Sequence, residues 1–505
     1  MTKRRESRKG KFETGECNLD GEYISPIHSM KDMTIKNIIS VISNSRYAQS
    51  IIVLTIIGFV LRFYNLGFNS LWLDEAATHS FAIMSIPDIW KATAGGEFNP
   101  PLFYWIEHLM LMIGNNEVIL RFIPTLVGVL TIPIIYFVGK EFMDRNVGII
   151  AAAAITVSPF LIFYSQEARA YSMMLFFVAL SMIFYFRCLK THDLKNWTIF
   201  SIFSALALWS HFYAFIIISS LFVYAIILQI KDIRKNLQRL KMITTSIIIF
   251  IILCLPLILV AAQLFISRTS STPAFGLQGM GLVSETFKQL SGFYEIPTML
   301  LLIIFAIGIL QTFFVDKNKG IFLILVTILT FTVSVILSYK MPMVPRYLIF
   351  FNTIFFIGIA MSYKLFYNLV NRREIIYLFI AFLIVLSTPM LMNYYSAYSK
   401  EDWRGFSGQL QELTNPGDVI VTSPGYISLP LNYYYSNSSD LTSRYEANNV
   451  TELEKINSGK SNNTIYYIVT GDINAINPEG TMMVWLNEHT KPVGQRSGIY
   501  LYGSR

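Results

Sequence analysis

Charge is scarce in this chain. Only 14% of its 505 residues are Asp, Glu, Lys or Arg, where a soluble domain carries about 25%. With 53% hydrophobic residues, that scarcity excludes a disordered chain and a water-soluble multidomain enzyme. Cysteine is rarer still. Cys17, Cys188 and Cys254 are the only three. They lie far apart without metal-ligand spacing, and the region past residue 398 has none to cross-link it. No glycine-rich phosphate loop follows a predicted strand, and there is no metal-holding Asp-x-Asp. A soluble nucleotide-sugar site is therefore not expected. The formal net charge of +8 sits in short blocks between long apolar runs, which points to a membrane and away from nucleic acid.

No cleavable signal peptide is visible, because residues 1–34 are polar and basic and the first long apolar run begins near Ala48. Ile35, Ile38, Ile39 and Ile42 recur at helical spacing and predict a short interfacial helix. A spanning helix needs roughly 17–25 apolar residues. About eleven runs qualify, with a range of ten to thirteen: near 48–64, 118–138, 147–164, 171–187, 197–211, 212–230, 243–266, 298–315, 320–339, 347–363 and 374–394. The runs 71–94 and 100–114 are too short or broken, and predict helices lying on the membrane within a loop over 65–117. Lys and Arg favour the cytoplasmic side. With the N-terminus inside, the inner loops carry fifteen, including Lys140, Arg145, Lys231, Arg234, Lys235 and Arg373. The short outer loops carry five: Arg169, Arg268, Lys288, Lys340 and Arg346. The expected organisation is a cytoplasmic basic tail over 1–47, a polytopic α-helical domain over 48–397 and an extracytoplasmic α/β domain over 398–505.

That last domain begins where the composition changes, at Tyr398. Ser399 is expected to cap a helix ending near Leu413. Strands are predicted at 419–421, 465–469 and 499–502, and a second helix at 426–435. Asn-x-Ser/Thr sequons stand at Asn437, Asn449 and Asn462. A lid or a scaffold is the plainer reading of the domain.

A charge at the bilayer centre costs roughly 2.5–3.5 kcal/mol or more, and the spans carry almost none there. Arg62, Arg121, Glu167, Arg169, His211, Lys340 and Arg346 instead gather at the outer ends, and with Asp74-Glu75 they predict one compartment at the outer membrane face. A proton-coupled transporter would hold such groups at mid-depth. Burial and a like charge both raise a carboxyl pKa, and a base nearer neutrality can take a proton from a hydroxyl. Adjacent helical residues point about 100° apart, so the two carboxylates are not expected to share one task; a helix cap with a solvated first-turn charge is the bland alternative. Asn99-Pro100-Pro101 predicts an extended entry to the helix holding Tyr104. Arg121 is either a site cation or a snorkelling anchor. Glu167 can orient Arg169 by ion pairing, leaving guanidinium donors for a phosphate, or the two form a self-satisfied pair. Tyr171 closes the same stretch. His211 alone is more often a packing residue than a ligand. Arg346 and Tyr347 put a cation and a phenol at a span end, as a phosphate grip or an interfacial anchor.

Taken in order, LWLDEA (71–76), NPPLFYW (99–105), the run 121–142, SPFLIFYSQEARAYS (158–172), WSHFYA (209–214), PRYL (345–348) and DWRG (402–405) resemble the GT-C superfamily of integral-membrane glycosyltransferases. Within it they look like glycosyltransferase family 39, the protein O-mannosyltransferase and aminoarabinose-transferase-like group. The resemblance covers about residues 48–405, with little beyond hydropathy between 220 and 340. It implies a polyprenyl-phosphate-linked sugar donor, a glycan, protein or lipid acceptor, and an acidic residue of the first outer loop at the reaction centre, here Asp74 with Glu75 beside it. Many members carry a basic or imidazole residue before the Pro-Pro. Asn99 stands there, which shifts the expected phosphate contacts to Arg121, Arg169 and Arg346. Metal independence is expected; a site using His211 with a carboxylate such as Glu97 finds no support in ligand spacing. A flippase or exporter of lipid-linked glycans and an oligosaccharyltransferase remain as alternatives.

Overall fold

The computed structural model describes residues 45–97, 99–191, 193–230, 236–269, 273, 275–372, 374–396, 399–435, 442–459 and 463–504. The expected interfacial helix, Cys17, Lys231, Arg234, Lys235, Arg373, Asn437 and Asn462 lie outside them. Of two compact units, the first is residues 1–50, of which the described part begins the first helix. The second, residues 51–505, holds all the rest.

Helix α1 (Arg46–Phe63) leads into a loop with three short helices, α2 (Leu73–Ala82), α3 (Ile86–Ala94) and α4 (Leu102–Leu111). The bundle continues with α5 (Glu117–Phe142), α6 (Arg145–Val157), α7 (Pro159–Ser165), α8 (Tyr171–Thr191), α9 (Leu194–Ser210), α10 (Ala214–Ile230) and α11 (Leu237–Arg268). It is completed by α12 (Gly279–Leu290), α13 (Glu295–Val315), α14 (Lys317–Ser338), a 3-10 turn (Pro345–Phe351), α15 (Asn352–Met361), α16 (Tyr363–Val370) and α17 (Glu374–Ser396). Among the described residues, eight helical stretches are long and apolar enough to cross a membrane, and the bent pair α6–α7 makes a ninth. Helices α9 and α10, 17 residues each, occupy the other two expected runs, parted at His211-Phe212-Tyr213.

The 60° bend between α6 and α7 has a local cause. Ser158 caps α7 by accepting from the Leu161 N–H, and Pro159 at the first turn has no N–H to continue α6. The last carbonyls of α6 then lack helical partners. Arg62 supplies them, donating to the Ile155 oxygen at 2.8 Å and the Thr156 oxygen at 3.1 Å. Small residues let the helices close up elsewhere. A Cβ on Gly139 of α5 would sit 2.7 Å from the Gly148 Cα of α6, so only glycine fits this crossing.

The tail domain opens with α18 (Trp403–Leu413), capped by Asp402 through the Gly405 N–H at 3.0 Å. Ser399, the expected cap, lies outside that turn and donates its own N–H to Asn69. Then come β1 (Val419–Ser423), α19 (Ser428–Tyr434), β2 (Ser443–Glu446), α20 (Val450–Ser458), β3 (Ile465–Thr470), α21 (Ile473–Ile476), α22 (Thr481–His489), β4 (Thr490–Arg496) and β5 (Ile499–Ser504). The strand order is β2-β1-β3-β5-β4. Strands β1, β2 and β3 are parallel, and β5 runs antiparallel to β3 and β4. Every residue of β3 is buried, as a strand covered on both faces requires. Ile420 and Ile468 pack with Trp403 and Phe406 on one face; Val421 and Tyr467 pack with Leu453 and Trp485 on the other. Asn449 is the N-cap of α20, accepting from the Glu452 N–H.

This domain is fastened to the segment before α2. The Ser70 hydroxyl donates to the Glu401 oxygen and accepts from the Trp403 N–H. The Tyr434 hydroxyl accepts from the Leu71 N–H at 2.7 Å and donates to Glu117 at 2.6 Å. Arg404 also pairs with Glu117.

Candidate active site

Asp74 and Glu75 both fall in the first turn of α2, where unpaired N–H groups favour negative charge. Their side chains meet opposite surroundings. Glu75 is fully buried. Its Oε1 accepts from Arg121 Nε at 2.7 Å and the Ala168 N–H at 2.8 Å, and its Oε2 accepts from Arg121 Nη2 at 2.7 Å and Lys400 Nζ at 3.0 Å. Burial pushes this carboxyl's pKa up, but the Arg121 and Lys400 charges outweigh it and hold it down at about 2. The upward shift expected of an adjacent acidic pair is therefore reversed at Glu75.

Arg121 corrects a second expectation. Beyond its two bonds to Glu75, its Nη1 donates to the Leu66 and Asn69 oxygens and its Nη2 to the Ser70 oxygen. A guanidinium has five N–H groups, so none is left for a substrate phosphate. It is neither a snorkelling anchor nor a phosphate ligand but the clamp that shapes residues 66–75. Arg62 spends its Nη groups on the α6–α7 bend and the Gly58 oxygen, its buried Nε having no partner, and Lys340 is exposed.

Asp74 is the carboxylate left accessible. Its side chain is 24% exposed and its Oδ2 lies 3.3 Å from Arg346 Nη2, itself 23% exposed. Arg169, which is buried, donates to the Asp74 backbone oxygen at 3.2 Å and to the Thr78 hydroxyl at 3.4 Å. Two guanidinium groups therefore flank Asp74. Arg346 Nε also donates to the Tyr171 hydroxyl at 3.1 Å, and its guanidinium sits over the rings of Trp72 (5.6 Å), Tyr347 (5.8 Å) and Tyr171 (6.0 Å), a cation–π arrangement. Tyr347 stacks on Tyr213 with centroids 5.0 Å apart, and His211 lies 5.1 Å from Tyr347. His211 accepts the Tyr213 N–H on Nδ1, while its buried Nε2 has no partner.

Glu167 and Arg169 do not form the expected ion pair. The Arg169 N–H bonds the Glu167 backbone oxygen, but the side chains diverge. Arg169 turns to Asp74, and Glu167 Oε1 accepts from the Trp72 indole N–H at 3.2 Å. Burial raises the Glu167 pKa against the lowering pull of Lys400. Asn99 and the Tyr104 hydroxyl both donate to Glu97 Oε1, at 2.8 and 2.9 Å, so Asn99 serves that carboxylate.

A cavity of about 500 Å³ opens beside this cluster, lined by Trp72, Phe163, Tyr164, Glu167, Arg346, Ser399, Lys400, Glu401 and Ser497. Four of these lie beyond residue 398, so the tail domain forms a wall of the cavity. Lys400 and Glu401 were absent from the sequence-based set. Their signal was adjacency to DWRG, whose Trp403 and Arg404 do the fastening. Among the described residues no group of three or more His, Cys, Asp or Glu gathers as a metal-ligand set.

Residues 99–260 match a model of the family described as dolichyl-phosphate-mannose-protein mannosyltransferase. An uncharacterized protein of Aquifex aeolicus (strain VF5) is 29% identical over 141 residues, a stretch that covers 25% of this chain and 27% of that relative. The structure of ArnT from Cupriavidus metallidurans bound to undecaprenyl phosphate superposes with a TM-score of 0.57 at 10% identity, covering 90% of this chain and 97% of ArnT. The oligosaccharyltransferase of Archaeoglobus fulgidus, in complex with zinc and sulfate, gives 0.54 at 13% identity, covering 90% of this chain and 72% of that one. The fold is that of the GT-C membrane glycosyltransferases, as the ordered motifs suggested.

Proposed function

We propose that the protein is a glycosyltransferase that moves a sugar from a polyprenyl-phosphate-linked donor to an acceptor hydroxyl at the outer membrane face, with inversion and with Asp74 as general base. The observation that carries this reading is the division of labour in α2. Glu75 is locked by Arg121 and Lys400, while Asp74 stays accessible between Arg169 and Arg346. The family match over residues 99–260 and the fold shared with ArnT, whose structure binds undecaprenyl phosphate, support the donor class. The bias of lysine and arginine toward alternate loops supports the outer side.

The chemistry follows from the positions. The acceptor O–H gives its proton to the Asp74 carboxylate as its oxygen bonds the anomeric carbon. The bond from that carbon to the phosphate oxygen breaks on the opposite face. The electron pair leaves with polyprenyl phosphate, and the charge growing there is met by Arg346 and Arg169. Glu75 acts through the backbone of α2 and holds Asp74 in place.

The test is Asp74→Asn in purified full-length protein, assayed with isotope-labelled sugar on a polyprenyl phosphate. The expected result is a 10²–10⁴-fold loss of transfer, the usual range for removing a general base, with folding intact. Near-normal turnover of a folded variant overturns the assignment. Label that crosses the membrane without forming a new glycosidic bond identifies an exporter instead.

A further inference from the structure

Glu167 is fully buried, yet its Oε2 has no hydrogen-bond partner. Buried carboxylate oxygens are normally satisfied, so an orphan one asks for an explanation. The other charged groups of the same cavity have theirs, and its two serines, Ser399 and Ser497, are exposed. Lys400 is on Glu75, Arg346 is on Tyr171 and Asp74, and Glu401 accepts from the Trp403 indole at 2.8 Å. The Trp72 indole holds Glu167 Oε1 and thereby fixes the rotation of the carboxyl, leaving Oε2 as the acceptor without a donor.

We propose that Glu167 reads the transferred sugar, accepting a hydrogen bond on Oε2 from one ring hydroxyl of a neutral saccharide seated in the cavity. The composition of the walls argues for this ligand. Trp72, Phe163 and Tyr164 make the apolar part of the wall, with Arg346 and Lys400 held over the Trp72 ring, so a few convergent polar groups sit among aromatic edges and can fix a ring's orientation. The volume of about 500 Å³ falls in the roughly 300–1,000 Å³ range of small-molecule sites. The charges divide the cavity. Arg346, which flanks Asp74 together with Arg169, draws the phosphate, which leaves the hydroxyl-bearing part of the donor to face Glu167. This assignment rests on the donor class proposed above and adds the residue that selects among its sugars.

The experiment uses the full chain in lipid nanodiscs. It measures binding of undecaprenyl phosphate alone, and of undecaprenyl phosphates carrying mannose, glucose, galactose or N-acetylglucosamine. With the tightest sugar-bearing ligand, a series lacking one hydroxyl at a time is then measured. In the wild-type protein one deoxy ligand binds at least tenfold more weakly than its parent, because a site built to bond a hydroxyl discriminates strongly against its absence. In Glu167→Gln the affinity for undecaprenyl phosphate stays within about twofold, that for the sugar-bearing ligand falls at least tenfold, and the penalty for the missing hydroxyl disappears. Equal tolerance of every deoxy ligand by the wild-type protein overturns the proposal without need of a variant. So does a Glu167→Gln protein that loses both ligands equally, or neither. Failure of the wild-type protein to bind any of these ligands overturns the donor class itself, and this proposal with it.

Discussion

Lys400 Nζ and Glu75 Oε2 lie 3.0 Å apart, an ion pair between residues 325 positions apart in sequence. Both side chains are buried, and Arg121 completes the group from α5. This triad ties the entry of the tail domain to the helix that carries Asp74.

Removing its anion leaves two cations buried without compensation. Glu75→Gln is expected to cost about 3–5 kcal/mol of stability, the range for breaking a buried pair from one side. Thermal unfolding of the detergent-solubilised protein measures it. Adding Lys400→Met to that variant restores part of the loss, because one stranded charge goes with it, whereas Arg121 keeps its bonds to the Leu66, Asn69 and Ser70 oxygens. A single-variant cost below about 1 kcal/mol would contradict a charged, paired Glu75.

The same group gives an acid dependence. Its folded pKa, about 2, lies below its ordinary value of 4.5. The stabilisation is therefore fully present above about pH 4.5 and is lost as the pH falls toward 2. The difference in melting temperature between the wild-type protein and Glu75→Gln is expected to hold steady at neutral pH and narrow through that window. A difference unchanged down to pH 2.5 would count against it.

For the arginines the structure predicts a split. Arg169→Ala and Arg346→Ala each raise the donor KM about tenfold or more, the worth of a hydrogen bond to a charged group, and move the acceptor KM by less than twofold. Arg121→Gln lowers stability and has no such preference for the donor. Steady-state kinetics with each substrate varied in turn distinguishes the patterns; equal effects of Arg346→Ala on both substrates would argue against phosphate binding.

Arg62→Met tests the bend. It strands the carbonyls of Ile155 and Thr156, at about 1–3 kcal/mol for each buried acceptor left unpaired. A lower melting temperature with an unchanged donor KM is expected. A raised donor KM at unchanged stability would return Arg62 to the site.

Much of the helical domain was legible because the length of an apolar run is a local property. The bend at Ser158-Pro159 was not read, because hydropathy runs on unbroken through 147–164 although the proline without an N–H stands inside it. The roles of the arginines were not legible: Arg121 and Arg346 both stand at the start of apolar stretches, and only the chain packed opposite tells them apart, residues 66–75 for one and Tyr171 with Asp74 for the other. In the tail, β2 and β4 escaped the alternation test. The Ser443–Glu446 strand is an exposed polar edge, and β4 carries Pro492 and a register shift before Gly494. Glu167 and Arg169 looked like a pair because they are two apart in sequence, yet the indole of Trp72 claims one and the loop of Asp74 the other.

Ser497, in the turn between β4 and β5, faces the same hollow as Trp72. Two residues made more than four hundred steps apart thus share one wall. During biosynthesis the acidic helix emerges early, but the hollow beside it stays unfinished until the sheet has formed and docked. A nascent chain halted anywhere before that turn lacks the Ser497 side of the hollow, so the wall that faces Trp72 is completed only by the last two strands.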